Sequence, residues 1–179
     1  MDIRTPISKE TLKLLKAGDA ITITGVIYTA RDAAHKMLNE LIQQGRELPI
    51  DLFGAALYYT GPSPTKPGDV VGSIGPTTSY RMDRFTKLLL DQGLALTIGK
   101  GKRGSETISD HLKHGSVYCA AYGGAGAYLA SKVLSISTAA FPELGPEAIF
   151  RLEVKDFPLT VINDVHGSDL YADEGAVND

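Results

Sequence analysis

Between about Val70 and Ala130 the chain repeats one unit: a short apolar strand, a glycine-rich turn, a helix, and then the next strand. Strands joined by helical crossovers pair in parallel, and the helices that return the chain cover the sheet they cross. Val70 to Ile74 leads into Gly75-Pro76-Thr77-Thr78, and a helix carrying Met82, Phe85, Leu88, Leu89 and Leu90 ends at Gly93. The strand Ala95–Ile98 follows, then a glycine-rich turn, a helix ending at His114-Gly115, and the strand Val117–Ala121. Upstream, Ala20–Tyr28 is a β-branched strand, and Ala33, Ala34, Met37, Leu38, Leu41 and Ile42 recur at the helical period between Ala30 and Gln44, with Gly45 as the stop. Ala55–Thr60 reads as a further strand, and the proline- and glycine-rich run Gly61–Asp69 as an irregular loop. Downstream, Ala148–Val154 and Leu159–Ile162 read as two strands joined by a turn around Asp156 and Pro158. The expected fold is α/β, with two kinds of sheet in one domain over residues 1–171. Residues 172–179 are expected to form a disordered tail.

A chain of 179 residues can bury enough surface to need no covalent or metal staple. Its one cysteine, Cys119, lies in an apolar strand and reads as an inert buried thiol. Alone it can form no internal disulfide, and it cannot by itself hold a structural zinc or an iron–sulfur cluster. The net charge of −3 argues against a non-specific nucleic-acid binder. No apolar run approaches the ~20 residues of a membrane span. The start, Met1-Asp2-Ile3-Arg4-Thr5-Pro6, lacks the regions of a signal peptide, so a cytoplasmic location is expected.

Three strand-to-helix junctions concentrate chemistry. Gly99-Lys100-Gly101-Lys102-Arg103-Gly104 has the GxGxxG spacing of a dinucleotide turn, but the next strand ends in Cys119-Ala120-Ala121-Tyr122, without the acidic residue that holds a ribose. Its three cations beside a helix start suit any anion, carboxylate included. Gly75-Pro76-Thr77-Thr78-Ser79-Tyr80-Arg81-Met82-Asp83 packs hydroxyls and a guanidinium into one turn. Helix capping by Thr78 or Ser79 accounts for one hydroxyl and leaves Arg81, placed three residues after Thr78, for bidentate capture of a carboxylate. Thr29-Ala30-Arg31-Asp32-Ala33-Ala34-His35-Lys36 sets Arg31 at a helix start, where a cation opposes the dipole; a local Asp32–Lys36 pair is the plainer expectation there, and His35 reads as a packing histidine. His111 and His114 fall near a helix end, where charge suits the dipole. Gly123–Ala127 reads as close helix packing, and Asp164-Val165-His166-Gly167 as a turn after a strand. If the parallel strands are neighbours, Arg31, Thr77, Thr78, Arg81 and Lys100 gather at one sheet edge, a charge set that fits a small dicarboxylate.

The runs around Arg31, Thr77–Asp83 and Ile98–Gly101 resemble the class I fumarase and L(+)-tartrate dehydratase family, in its β subunit, which is equivalent to the C-terminal domain of the single-chain enzymes. The resemblance covers about Ile7 to Leu170. It implies a swivelling β/β/α domain with parallel and antiparallel sheets and helices on one side. It also implies an iron–sulfur hydro-lyase active only with an α subunit, in a hetero-oligomer that is a heterotetramer. A 4Fe–4S cluster would sit on the α subunit's cysteines, and this chain would bind no cofactor and no metal. Carried over position by position, the carboxylate-binding arginines fall on Arg31 and Arg81, the paired threonines on Thr77 and Thr78, and the lysine on Lys100. Thr77 corresponds to a proposed base for the proton on carbon, a role for which a threonine needs an activating neighbour. The expected reaction is reversible hydration of fumarate to L-malate. Asp164-Val165-His166-Gly167 is closer to the tartrate version, which makes L(+)-tartrate dehydration the alternative. From another class, a nucleotide- or phosphate-binding module would use the Gly99–Gly104 turn.

Overall fold

The computed structural model describes residues 1–173. The elements run β1 (Asp2–Arg4), α1 (Lys9–Leu12), β2 (Ala20–Thr29), α2 (Asp32–Gln43) and β3 (Ala56–Tyr58). A 3-10 turn over Ser79–Met82 then leads into α3 (Asp83–Asp91), followed by β4 (Leu96–Gly99), α4 (Ser105–His114), β5 (Val117–Ala120) and α5 (Gly126–Ala130). The chain closes with β6 (Val133–Ala140), a 3-10 segment over Pro142–Glu147, β7 (Ile149–Asn163) and α6 (Leu170–Asp173). Helix α6 takes up Ala172 and Asp173, the first two residues of the expected tail; residues 174–179 lie outside the described residues.

Among the described residues, seven strands form one sheet in the order β1-β2-β3-β4-β5-β7-β6, with a further pairing of β2 to β7. Strands β2, β3, β4 and β5 are parallel neighbours, as the crossovers require, and β7 runs antiparallel to β2, β5 and β6. The path β2-β3-β4-β5-β7-β2 is therefore a closed hydrogen-bonded circuit. This corrects the expectation of two kinds of sheet. The parallel and antiparallel strands share one sheet because β7 is a single 15-residue strand, not two joined by a turn. Asp156, at φ 53°, and the register shift opposite Ile23–Gly25 absorb the irregularity as a bulge that bends the strand without ending it. Strand β6 is not among the expected strands, although Leu134-Ser135-Ile136-Ser137 alternates at the strand period. Val70–Ile74 forms no strand, but Val71 and Ile74 are buried.

Strand β3 is buried on both faces and divides the core by the two-residue strand period. Ala56 and Tyr58 face a cluster lined by Ile23, Ile98, Cys119 and Phe157, whereas Leu57 and Tyr59 face Ala34, Leu38, Met82 and Leu89 from the helical layer. Each fully buried side chain of this size contributes roughly 1.5–3 kcal/mol. Ile7, Leu12 and Leu15 of the leader join the first cluster, and Leu14 is exposed. With four parallel strands fixed side by side, their carboxyl ends meet at one edge.

Candidate functional site

Backbone pairing continues past the strand ends at that edge. Ala30 donates to the Tyr58 carbonyl at 3.0 Å, Tyr59 to Ile98 at 2.8 Å, and Ala121 to Gly99 at 2.9 Å. The next residues out are Arg31, Thr60, Lys100 and Tyr122. The glycine-proline-threonine run is laced between the ends of β3 and β4. Thr77 N–H donates to Tyr59 O at 2.7 Å, Lys100 N–H to Thr77 O at 3.2 Å, and Ser79 N–H to Lys100 O at 2.9 Å, with Thr78 and Lys100 forming a parallel bridge. The Thr60 hydroxyl donates to Gly75 O at 2.7 Å, and Tyr58 Oη donates to Ile74 O. Thr77, Thr78 and Lys100 are thus brought together by main-chain bonds, which hold position more firmly than side-chain contacts alone. Among the described residues, no hydrogen bond or ion pair from another side chain reaches the Thr77 and Thr78 hydroxyls or the Lys100 ammonium, so all three are available to a ligand.

Two glycines make this approach feasible. A Cβ on Gly99 would overlap Ser79 Oγ and come within 2.9 Å of the Tyr59 ring, and one on Gly126 would overlap Ser73 Oγ and reach 2.8 Å from Gly75 N. The Gly123–Ala127 turn therefore does serve close packing, against the segment that carries the threonines.

Arg81 follows in the 3-10 turn. Thr78 is extended, with no side-chain cap bond, and Ser79 Oγ pairs with Tyr118 Oη at 2.9 Å, so neither hydroxyl caps the helix as expected. Nor do Thr78 and Arg81 share a helix face. Arg81 instead reaches Asp32 at the start of α2, with Nε 3.2 Å from Oδ1 and Nη2 2.9 Å from Oδ2. This corrects the local Asp32–Lys36 pair: Lys36 lies 3.8 Å from Glu40, and Asp32 is engaged 49 residues away. Arg31 precedes α2 in extended conformation, packs against Gly61, and lies 3.4 Å from Glu147 Oε1, close enough for charge attraction but misaligned for a hydrogen bond.

The three-cation reading of the Gly99–Gly104 turn is corrected as well. Lys100 and Lys102 are exposed, but the Arg103 side chain is 0% exposed. It lies 2.6 Å from Asp83, donates to Tyr59 Oη, Thr97 Oγ1 and Thr86 Oγ1, and stacks between the Tyr59 and Tyr118 rings. Burial works against its charge, but Tyr59 and Asp83 outweigh burial and hold its pKa above the ordinary value. Asp83 also accepts from Gly104 N–H at 2.7 Å, so an amide at the start of α4 that a phosphate would need already binds a carboxylate. The GxGxxG spacing here builds a backbone junction, and a nucleotide cradle finds no support in it.

His35 is buried against Tyr59 and Phe85, its Nδ1 2.8 Å from Arg31 O; burial and the charge of Arg103 bring its pKa down to about 4 despite that bond. His111 is buried between Thr97 and Ser116, where burial, then Arg103 and His114, hold it well below its usual value. That corrects the dipole reading for His111, while His114 pairs with Asp91. The Asp164 carboxylate accepts from the N–H groups of Ala17, His166 and Ser168, and His166 Nε2 lies 3.0 Å from Lys13 O, which accounts for that turn structurally. Burial raises the Cys119 thiol. Among the described residues no group of three or more His, Cys, Asp or Glu side chains converges as a metal site. No helix among them is long and apolar enough to cross a membrane.

The sequence matches the family described as Fumarase C-terminus over residues 1–174. It is 41% identical to the putative L(+)-tartrate dehydratase subunit beta of Methanocaldococcus jannaschii, over 92% of this chain and 88% of that one. It is 38% identical to the L(+)-tartrate dehydratase subunit beta of Escherichia coli K12, over 96% and 86% of the two chains. Against Fumarate hydratase 2 of Leishmania major it is 36% identical over 96% of its own length, but spans 31% of that protein, about a third of the fumarate hydratases it matches.

Proposed function

Because this chain belongs to the Fumarase C-terminus family, we propose that it is the β subunit of a two-subunit hydro-lyase, supplying the carboxylate-binding half of a shared site for a four-carbon dicarboxylate. Its main reaction is the reversible hydration of fumarate to L-malate, and the domain is of the swivelling β/β/α type over residues 1–171. Alignment along most of two β subunits supports the two-subunit arrangement. The observation that carries the site is the lacing of Thr77 and Thr78 to Lys100 at the strand ends, with Arg31 just before α2 and Arg81 in the 3-10 turn that follows Thr78.

Arg31 and Arg81 bind the carboxylates, Arg81 through the guanidinium edge that Asp32 leaves open. Lys100 and the two hydroxyls lie along the same edge, where a fixed cation stabilises the negative charge that develops as a proton leaves carbon. Thr77 Oγ1 would accept that proton only with a group from outside this chain, on the α subunit or the substrate, to take the hydroxyl's own proton, since among the described residues no side chain bonds to it. As the resemblance implies, a 4Fe–4S cluster would sit on an α subunit, in a cytoplasmic heterotetramer, and this chain, with its one thiol sealed in β5, would supply none of the cluster's thiolates. Tartrate is the second reading, favoured by the two β-subunit relatives and by the Asp164–Gly167 run.

Turnover of the assembled pair on L-malate, fumarate and L(+)-tartrate tests both. Activity on tartrate alone overturns the fumarase reading. Arg81→Ala should lower kcat/KM by roughly 10²–10³-fold, or about 3–4 kcal/mol of transition-state stabilisation. Near-normal turnover of that variant would remove the site.

A further inference from the structure

We propose that Asp32 is the positioning residue for Arg81, an inference that rests on the dicarboxylate site above. Arg81 is half-exposed on a long side chain, and Asp32 is the one carboxylate that fixes it among the described residues. A guanidinium has five N–H donors spread over two usable edges. Asp32 takes the edge made by Nε and Nη2, which leaves the Nη1 end to meet a ligand carboxylate in a set plane. Asp32 itself is well held. It is the first residue of the twelve-residue helix α2, where the dipole favours an anion, and its side chain is three-quarters buried. It follows Arg31 directly, so one helix start places both candidate clamp residues.

Attraction cannot be what Asp32 contributes, since a carboxylate beside an anion site repels the anion. Geometry is what remains. Without it, Arg81 would sample several rotamers and lose the preorganisation that orients a bound carboxylate.

In the assembled enzyme, Asp32→Asn should raise KM for the dicarboxylate roughly ten- to a hundredfold, with kcat falling much less. Asp32→Glu should recover part of the loss. In an Arg81→Ala background the same Asp32→Asn change should add less than about twofold, because the group it positions is gone. An unchanged KM in Asp32→Asn, or an equal effect with and without Arg81, would overturn the positioning role; a merely structural tie predicts the second of these. If Arg81→Ala itself turns over normally, the dicarboxylate site fails together with the positioning role. If Arg81→Ala is crippled while Asp32→Asn is not, only the positioning role fails.

Discussion

Arg103 and Arg81 lie on the two motifs that meet at the sheet edge, and the fold treats them in opposite ways. Arg103 is sealed among Asp83, Thr86, Thr97 and two tyrosine rings, with every edge of its guanidinium engaged inside the protein. Arg81 is half-exposed and held by a single carboxylate. The first joins β3, β4 and the starts of α3 and α4 into one body, and the second is presented on that body. A buried guanidinium whose three nitrogens all donate inside the protein has nothing left for a ligand, whereas a half-exposed one gains by meeting a second anion. Position in a basic or hydroxyl-rich motif does not distinguish the two; burial does.

The largest test of this contrast is Arg103→Met, which leaves Asp83 partly buried without its counter-charge. Stability should fall by about 3–5 kcal/mol, read from denaturant midpoints. A loss no greater than that of an exposed pair would mean that Arg103 is not the joint described here. The same charge acts on the neighbouring histidines. His35 is held at about 4, below its ordinary 6.5, chiefly by burial. The unfolded chain therefore takes up a proton that the folded chain refuses. The stabilising contribution is complete above about pH 6.5, shrinks as pH falls, and is lost by about pH 4. Its full size is about 3 kcal/mol, and His111 acts in the same direction. Melting temperatures across that range should fall less steeply in His35→Gln than in the parent, and identical slopes would contradict the assignment.

Much of the fold is legible in residue order. The parallel crossovers, the bounds of α2 to within two residues, and the gathering of strand ends at one edge all follow from local period and turn residues, which act over a few positions. What escaped is long-range. Asp32 looks committed to Lys36 at helical spacing, but the stronger bidentate geometry lies with Arg81, 49 residues on. Arg103 reads as one of three surface cations because nothing within several residues announces that Asp83 and Tyr59 will close over it. The turn at Asp156 became a bulge because β2 pairs with β7 on both sides of it, from Arg151 to Thr160, and a broken strand would leave those hydrogen bonds unmet. The five candidate residues were legible by motif; their partners were not.

A smaller effect tests how closely the edge is packed. Gly99→Ala adds a methyl group where Ser79 Oγ and the Tyr59 ring already lie, and both are buried and bonded elsewhere. A destabilisation of about 1–3 kcal/mol is expected. Because the added group pushes on the Thr77–Ser79 ribbon, activity of the assembled enzyme should fall by more than the loss of folded protein explains. A neutral result would show that this junction can relax and that its register is not fixed by close contact.

The smallest expected change in stability returns to Arg81. Its pair with Asp32 is half in solvent, and pairs of this kind contribute about 0–1 kcal/mol to folding. Arg81→Ala should therefore melt within a few degrees of the parent chain, even though, on the proposed function, the same substitution should remove most of the activity of the assembled enzyme. The opposite pattern, a severe loss of stability at Arg81 and none at Arg103, would reverse the division between joint and clamp. A residue that costs little folding energy when removed, yet is held in one orientation by a carboxylate from another helix, is better explained by what it meets than by what it supports.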